Sequence, residues 1–329
     1  MISSIAFRNF RALRNTQVRL VPFNVVIGPN GSGKTSLIEA VMRLSTLSKL
    51  GLGTGEVETK LPGGPEIDVT FDEPFAGVVV HMSCVSDVRC DALRVGVRDV
   101  GRWPELQAEL GTIRSYVLDH EALARVARRG DGAELGRTGD NLAAVLAHRR
   151  DHAPAAFADL TGEMLRLMPE FRELVLTELP EGGVEFGLRL IDNGLVPAAE
   201  LSQGMLYLTG ILALAYDPDP PRLLCIEEVD RGIHPRMLRA LRDLLYRLSY
   251  PQASGVARRP VQVITTSHSP YFIDLFRDHP EEVVISHKHG RAATFSRLID
   301  RPDLGELLRD GSLGDMWFSG ILGGVPEEG

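Results

Sequence analysis

The eight residues Gly28-Pro29-Asn30-Gly31-Ser32-Gly33-Lys34-Thr35 carry the strongest chemical signal in this chain of 329 residues. They fit a spacing of glycine, four residues, then Gly-Lys-Thr. In that pattern successive backbone N–H groups turn inward and, with the dipole of a following helix, cradle phosphates. Lys34 reaches the β and γ phosphates and the Thr35 hydroxyl ligates magnesium, with Asn30, Gly31, Ser32, Gly33 and Ser36 completing the nucleotide contacts. The expected ligand is therefore a nucleoside triphosphate, ATP with magnesium.

Three further groups have a use beside such a loop. The apolar run Leu223-Leu-Cys-Ile ends in Glu227-Glu228. Of two carboxylates at a strand end, one can hold magnesium and the other can orient the attacking water. By position Glu227 takes the metal and Glu228 is the general base. Leu201-Ser202-Gln203-Gly204-Met205 opens a helix about 20 residues earlier, where Ser202 and Gly204 can donate to a phosphate. Taken alone, Ser202 reads as an ordinary helix cap. Ile264-Thr-Thr-Ser-His268-Ser-Pro270 follows another buried run. A histidine there can hydrogen-bond a γ-phosphate, although strand-end histidines are more often structural.

The elements that must position these groups are legible as periods. Alternation over Ile2 to Phe10 and Val18 to Phe23 reads as a pair of strands, and Phe23 to Ile27 as a buried strand entering the loop. Ser36 to Leu50 has a helical period, Gly51 to Pro65 reads as a loop, and Ile67–Phe71, Gly77–Val85 and Ala92–Val100 as antiparallel strands. Pro104 to Leu167 reads as helical, broken at Gly130 to Gly139. Phe171–Leu179 and Val184–Ile191 form a hairpin. Leu201–Tyr216 and Pro235–Ser249 are helices, the latter with proline in its first turn. Leu223–Glu227, Val261–Thr265 and Val283–Ser286 are short buried strands. Strands alternating with helices at both ends imply a parallel sheet interrupted by an inserted lobe.

Composition narrows the class. The chain is 44% hydrophobic and 24% charged, an ordinary globular balance. Its longest apolar run, Leu206 to Tyr216, is about half of a bilayer span, and no secretory signal opens the chain, so the expectation is a cytoplasmic protein. Cys84, Cys90 and Cys225 match no metal or redox spacing and read as reduced thiols. A net charge of -8 does not support a dedicated nucleic-acid binder. Arginine supplies nearly all the positive charge, Lys34, Lys49, Lys60 and Lys288 being the only lysines.

The four chemical elements, in this order, resemble the ABC-type ATPases that are not transporters, the RecF and SMC group, and above all the compact AAA-type (AAA_21-like) ATPases related to the OLD family. Ile5-Ala-Phe-Arg-Asn-Phe-Arg-Ala-Leu13 running into the glycine loop, Gly139-Asp-Asn-Leu142, Glu227-Glu-Val-Asp-Arg-Gly-Ile-His-Pro235, Thr266-Ser-His-Ser-Pro270 and the tail from Gly314 to Gly324 carry that similarity. It implies an α/β P-loop NTPase with a mixed-sheet core, an antiparallel β lobe and an inserted helical lobe. One domain would span residues 1–329, with the phosphate loop and antiparallel strands in 1–100, the helical lobe and hairpin in 101–200, and the remaining motifs in 201–329.

The resemblance also implies a head-to-tail homodimer around two ATPs. Ser202, Gln203 and Gly204 of one copy would contact the γ-phosphate held by Lys34 of the other. Asp230 matches a loop that communicates between sites, and His268 matches a switch histidine. Two features depart from the pattern: Glu227 stands where Asp is usual, and Gln203 where Gly is. Gln107 reads as a helical residue rather than as a Q-loop.

The leading expectation is an ATP-hydrolysing switch that drives a partner effector or a nucleic-acid complex, in phage defence or DNA repair. The alternative is a slow, nucleotide-gated scaffold that assembles a separate nuclease or toxin, with Trp317, Phe318, Ile321 and Leu322 as a docking surface. A transporter subunit and a small-molecule kinase fit less well. No nuclease centre is visible in the sequence, and the roughly 60 residues after His268 are short for a Toprim domain.

Overall fold

The computed structural model describes residues 1–50, 64–86, 89–97 and 102–323. Most of the Gly51–Pro65 loop and the end of the Ala92–Val100 strand, as read from sequence, lie outside the described residues, as does Gly324 of the tail. The chain forms two compact units. The first takes Met1–Ser115, Pro221–Cys225 and Arg259–Gly329, and the second takes Tyr116–Pro220 and Ile226–Arg258.

The first unit opens with β1 (Ile2–Phe10), β2 (Leu13–Arg19) and β3 (Phe23–Ile27), followed by α1 (Lys34–Ser48). Then come β4 (Glu66–Phe71), β5 (Val78–Ser86), β6 (Arg89–Val97), α2 (Trp103–Gly111) and β7 (Arg114–Tyr116). The second unit follows with α3 (His120–Leu123), β8 (Ala127–Arg128), α4 (Leu142–His152), α5 (Pro154–Leu167), β9 (Phe171–Leu179), β10 (Gly183–Leu190), β11 (Leu195–Pro197) and α6 (Gln203–Ala215). The chain then lays down β12 (Leu223–Ile226), α7 (Leu238–Ser249), β13 (Gln262–Thr266), α8 (Pro270–Asp274), β14 (Val283–His289), β15 (Ala292–Arg297), α9 (Leu304–Asp310) and α10 (Leu313–Phe318). Of these, α7 belongs to the second unit and the strands and remaining helices to the first.

The first unit is built on an 11-stranded sheet in the order β6-β5-β4-β1-β2-β15-β14-β3-β13-β12-β7. β3 lies parallel to both β13 and β14, while the wing from β1 to β6 is antiparallel. The sheet is thus mixed rather than parallel. The difference follows from chain order, because hairpins can only pair antiparallel whereas the strands around β3 arrive by crossovers. All five residues of β3 are buried, as the unbroken run Phe-Asn-Val-Val-Ile requires of a strand covered on both faces. Its one polar member, Asn24, is satisfied by donating to the Val263 and Val21 carbonyls.

The second unit joins the helices α4 to α7 to a small antiparallel sheet, β11-β10-β8 with β9 on β10. The β9–β10 hairpin stands where its alternation puts it. The helical expectation for Pro104 to Leu167 fails at two places. Arg114–Tyr116 is the edge strand of the large sheet, and Ala127–Arg128 pairs with β10. Ser115 and Tyr116 are buried there, and long-range pairing overrides local propensity.

The thiols also differ from expectation. Cys84 and Cys90 are register partners on β5 and β6 and form a disulfide, while Cys225 is a buried free thiol. Six residues apart in sequence, they face each other because the hairpin folds back between them. In the tail, Trp317 and Leu322 are buried in the first unit, whereas Phe318 and Ile321 are 80% and 50% exposed. Gln107 lies on α2 as expected and donates to the Ser48 carbonyl at the end of α1.

Candidate functional site

In the first unit, β3 delivers the chain into the glycine loop and α1 takes it away. Gly28 has φ 157°, and a Cβ there would stand 2.5 Å from the Ser286 carbonyl oxygen and 2.6 Å from Ser32 Oγ. Gly33 has φ 95°, and a Cβ would meet Leu13 Cδ2 at 2.6 Å. Each glycine therefore combines a backbone angle with a close approach that excludes any side chain. Gly33 is also the residue capping α1, and no side chain caps that helix. The start of such a helix favours an anion.

Two side chains point to the same ligand. Ser32 is 1% exposed, and its Oγ has no hydrogen-bond partner. Its own carbonyl accepts from the Ser286 hydroxyl. Lys34 is 8% exposed and donates to the carbonyls of Gly28 at 2.7 Å and Pro29 at 3.0 Å. A buried ammonium folded onto its own loop, beside an unspent hydroxyl and an uncapped helix, fits a triphosphate. Asn30, Gly31 and Thr35 are exposed at the mouth, and Ser36 is buried behind it.

His268 belongs to the same unit. The register Thr266↔Val26 and the bond from Ser267 N to the Val26 carbonyl carry the end of β13 alongside the start of the loop. Ser269 caps α8 by accepting from Phe272 N, which leaves His268 exposed at the turn between strand and helix. The neighbouring β14 adds a group that sequence reading left without a role. Lys288 Nζ lies 3.4 Å from where a Cβ on Gly31 would be. Its only signal in the sequence was rarity.

The second unit assembles the other half of the motifs. Glu227 N donates to the Tyr116 carbonyl, and the half-buried Glu227 carboxylate lies 3.7 Å from Arg137. Glu228 turns the chain with φ 49°, a left-handed conformation unusual for a residue with a side chain, and its side chain is 57% exposed. Asp230 follows inside the turn, accepting from Ile233 N through its backbone carbonyl. Ser202 caps α6 by accepting from Met205 N, with Ser202 and Gln203 exposed. A Cβ on Gly204 would stand 2.8 Å from the Gly232 carbonyl oxygen, so the capped helix start packs directly on the turn after Glu228. The structure thus brings Ser202, Gln203 and Gly204 together with Glu228 and Asp230 in one unit, and the phosphate loop together with His268 in the other. Among the described residues no helix is long and apolar enough to cross a membrane.

Comparisons with known proteins meet this geometry from both ends. Residues 117–274 match the family described as "AAA domain, putative AbiEii toxin, Type IV TA system", and residues 1–76 match the AAA ATPase domain family. The fold is that of SMC heads. A crystal structure of an SMC head bound to the C-winged helix domain of ScpA has a TM-score of 0.58 at 15% identity, covering 90% of this chain and 96% of that one. The SMC head domain from Thermotoga maritima has a TM-score of 0.51 at 14% identity, covering 90% and 98%. The chain thus matches AAA-type ATPase family models over residues 1–76 and 117–274 and shares the SMC-head fold. A 44-residue stretch is 43% identical to the DNA replication and repair protein RecF of Erwinia tasmaniensis, and this match spans 13% of this chain and 12% of RecF.

Proposed function

We propose that the protein is an ATP-hydrolysing switch that closes head to tail around two ATPs and drives a partner effector. The observation that carries this reading is Glu228. A glutamate held left-handed at the end of a buried strand, with its carboxylate in solvent, is backbone strain kept at a position where chemistry needs an aimed base. Glu228 accepts the proton of the attacking water, Lys34 and the amides at the start of α1 stabilise charge on the transferred phosphoryl group, and ADP leaves. Thr35 and Glu227 are the residues that would hold magnesium, which when bound neutralises phosphate charge. His268 senses the γ-phosphate. Ser202, Gln203 and Gly204 supply the closing contacts from the second copy, with Asp230 between the two sites.

A separate effector, a nuclease or a toxin, is the fitting partner class. The exposed Phe318 and Ile321 favour a docking role for the tail, and a structural relative is an SMC head bound to a partner's winged-helix domain. The repair role printed for RecF and the toxin–antitoxin description of the matched family both fit such a switch, in a cytoplasmic DNA-repair or phage-defence setting. Turnover measured with light scattering tests the core of this reading. Glu228→Gln is expected to lower hydrolysis by about 10²–10⁴-fold while ATP still drives dimer formation. A Glu228→Gln protein that turns over ATP at the parent rate sinks it.

A further inference from the structure

We infer that His120 is a positioning residue that aims the amide of Gln203 at the phosphate bound by a second copy. The inference rests on the head-to-tail reading above and names a residue that reading does not use. His120 opens the short helix α3, 83 positions from Gln203, and the two meet side chain to side chain: His120 Nε2 lies 3.2 Å from Gln203 Nε2. Two nitrogens at that distance bond when the amide donates to an unprotonated imidazole nitrogen. The amide then spends one of its two hydrogens on His120 and keeps the other for an anionic oxygen.

The rest of the setting argues that this contact serves the signature rather than the core. His120 Nδ1 is buried and has no hydrogen-bond partner. A histidine kept for stability would spend its buried nitrogen on the interior, and here only the nitrogen facing Gln203 is used. Tyr207, one helical turn after Gln203, lies beside His120. Tyr207 is 4% exposed, and its ring lies 6.4 Å from the His120 ring. Burial pushes that phenol's pKa up, so the hydroxyl stays protonated.

Gly232, with φ +68°, completes the enclosure. A Cβ there would stand 3.0 Å from the Tyr207 ring and 3.4 Å from Gln203 Cβ. An exposed glutamine is thus packed against the turn after Glu228 and hydrogen-bonded by His120. Such a side chain has already lost its rotamer freedom before any ligand arrives, and this preorganisation strengthens binding. The use of Gln203 where glycine is usual has a physical counterpart in His120.

The test separates positioning from folding. His120→Ala is expected to keep the parent's thermal midpoint and its monomeric ATP affinity, read at protein concentrations below dimerisation, while raising the ATP concentration for half-maximal dimerisation about three- to tenfold. His120→Gln, whose Oε1 reaches the same place, is expected to recover most of that loss. Mixing His120→Ala with Lys34→Ala, which carries an intact signature, should restore nucleotide retention by the His120→Ala phosphate loop. A defect in the folding of His120→Ala itself would not be repaired by a partner. Dimerisation of His120→Ala at the parent ATP concentration overturns the inference, as does a loss of thermal midpoint matching the loss of dimerisation, a failure of His120→Gln to recover, or a failure of mixing to restore retention. If the parent binds ATP and stays monomeric, the head-to-tail reading itself fails and the role of Gln203 falls with it.

Discussion

The two units hold their functional groups in opposite ways. In the first, the phosphate loop is settled before any ligand arrives: β3 is wholly buried, Gly28 and Gly33 fit closures with no room for a methyl group, and Lys34 is tied to two carbonyls of its own loop. In the second, Glu228 stands in solvent on a strained backbone, and Ser202 and Gln203 crown the exposed start of a helix. Phosphate binding needs a fixed cradle of dipoles, which packing provides at low cost once the strand is buried. Groups proposed to complete a site on another molecule must instead remain at the surface. What fixes them there is local: a cap, a glycine contact and a histidine.

The largest effect should come from breaking the preformed half. Lys34→Ala removes a buried ammonium and both of its loop contacts. Charge-assisted hydrogen bonds are worth about 1.5–3 kcal/mol each, so ATP affinity should fall by roughly 100-fold or more. Equilibrium binding of a fluorescent ATP analogue measures it. Parent-like affinity in Lys34→Ala would remove the loop from the nucleotide site altogether.

The same contrast decides what the sequence disclosed. The phosphate loop was legible because its chemistry is local: eight consecutive residues, a β-branched run before them and a helical period after. The capped start of α6 and the acidic strand end were legible for the same reason. The groups that sequence reading missed are brought in by distant pairing. Arg114–Tyr116 looks helical until β12 lies beside it. Cys84 and Cys90 look like separate thiols until the β5–β6 register sets them opposite each other. His120 reaches Gln203 across 83 positions, and Lys288 reaches Gly31 only because β14 runs parallel to β3. Patterns report a residue's neighbours in sequence, and sheet register decides the others.

A glycine–alanine exchange should act with opposite signs in the two units. Gly28→Ala forces a methyl group against the Ser286 carbonyl at a backbone angle alanine avoids, and is expected to destabilise the first unit by about 2 kcal/mol or more. At position 228 the order reverses. Glu228→Ala keeps the left-handed strain, whereas Glu228→Gly relieves about 1–2 kcal/mol of it, less about 0.5–1 kcal/mol for the freer unfolded chain. Urea denaturation should therefore find Glu228→Gly as stable as Glu228→Ala or up to about 1.5 kcal/mol more stable, with hydrolysis lost in both. If Glu228→Gly is the less stable of the two, the turn carries no strain and the contrast between the units weakens.

The smallest effect concerns how the second unit holds its own surface. Asp151, at the end of α4, accepts from Arg150 and from Arg129, and these bonds lower its pKa from 3.8 to about 2. A carboxylate whose folded pKa is depressed contributes stability that is fully present above its unfolded value and is lost as pH falls through the folded one. Asp151→Asn should therefore unfold slightly below the parent at pH 7, and the gap should close between about pH 4 and pH 2, as the parent's carboxylate protonates. Because the group lies at the surface, added salt should shrink the pH 7 gap as well. A gap that persists unchanged at pH 2 would assign the loss to geometry rather than charge. The second unit would then rest on shape at that corner, as the phosphate loop does.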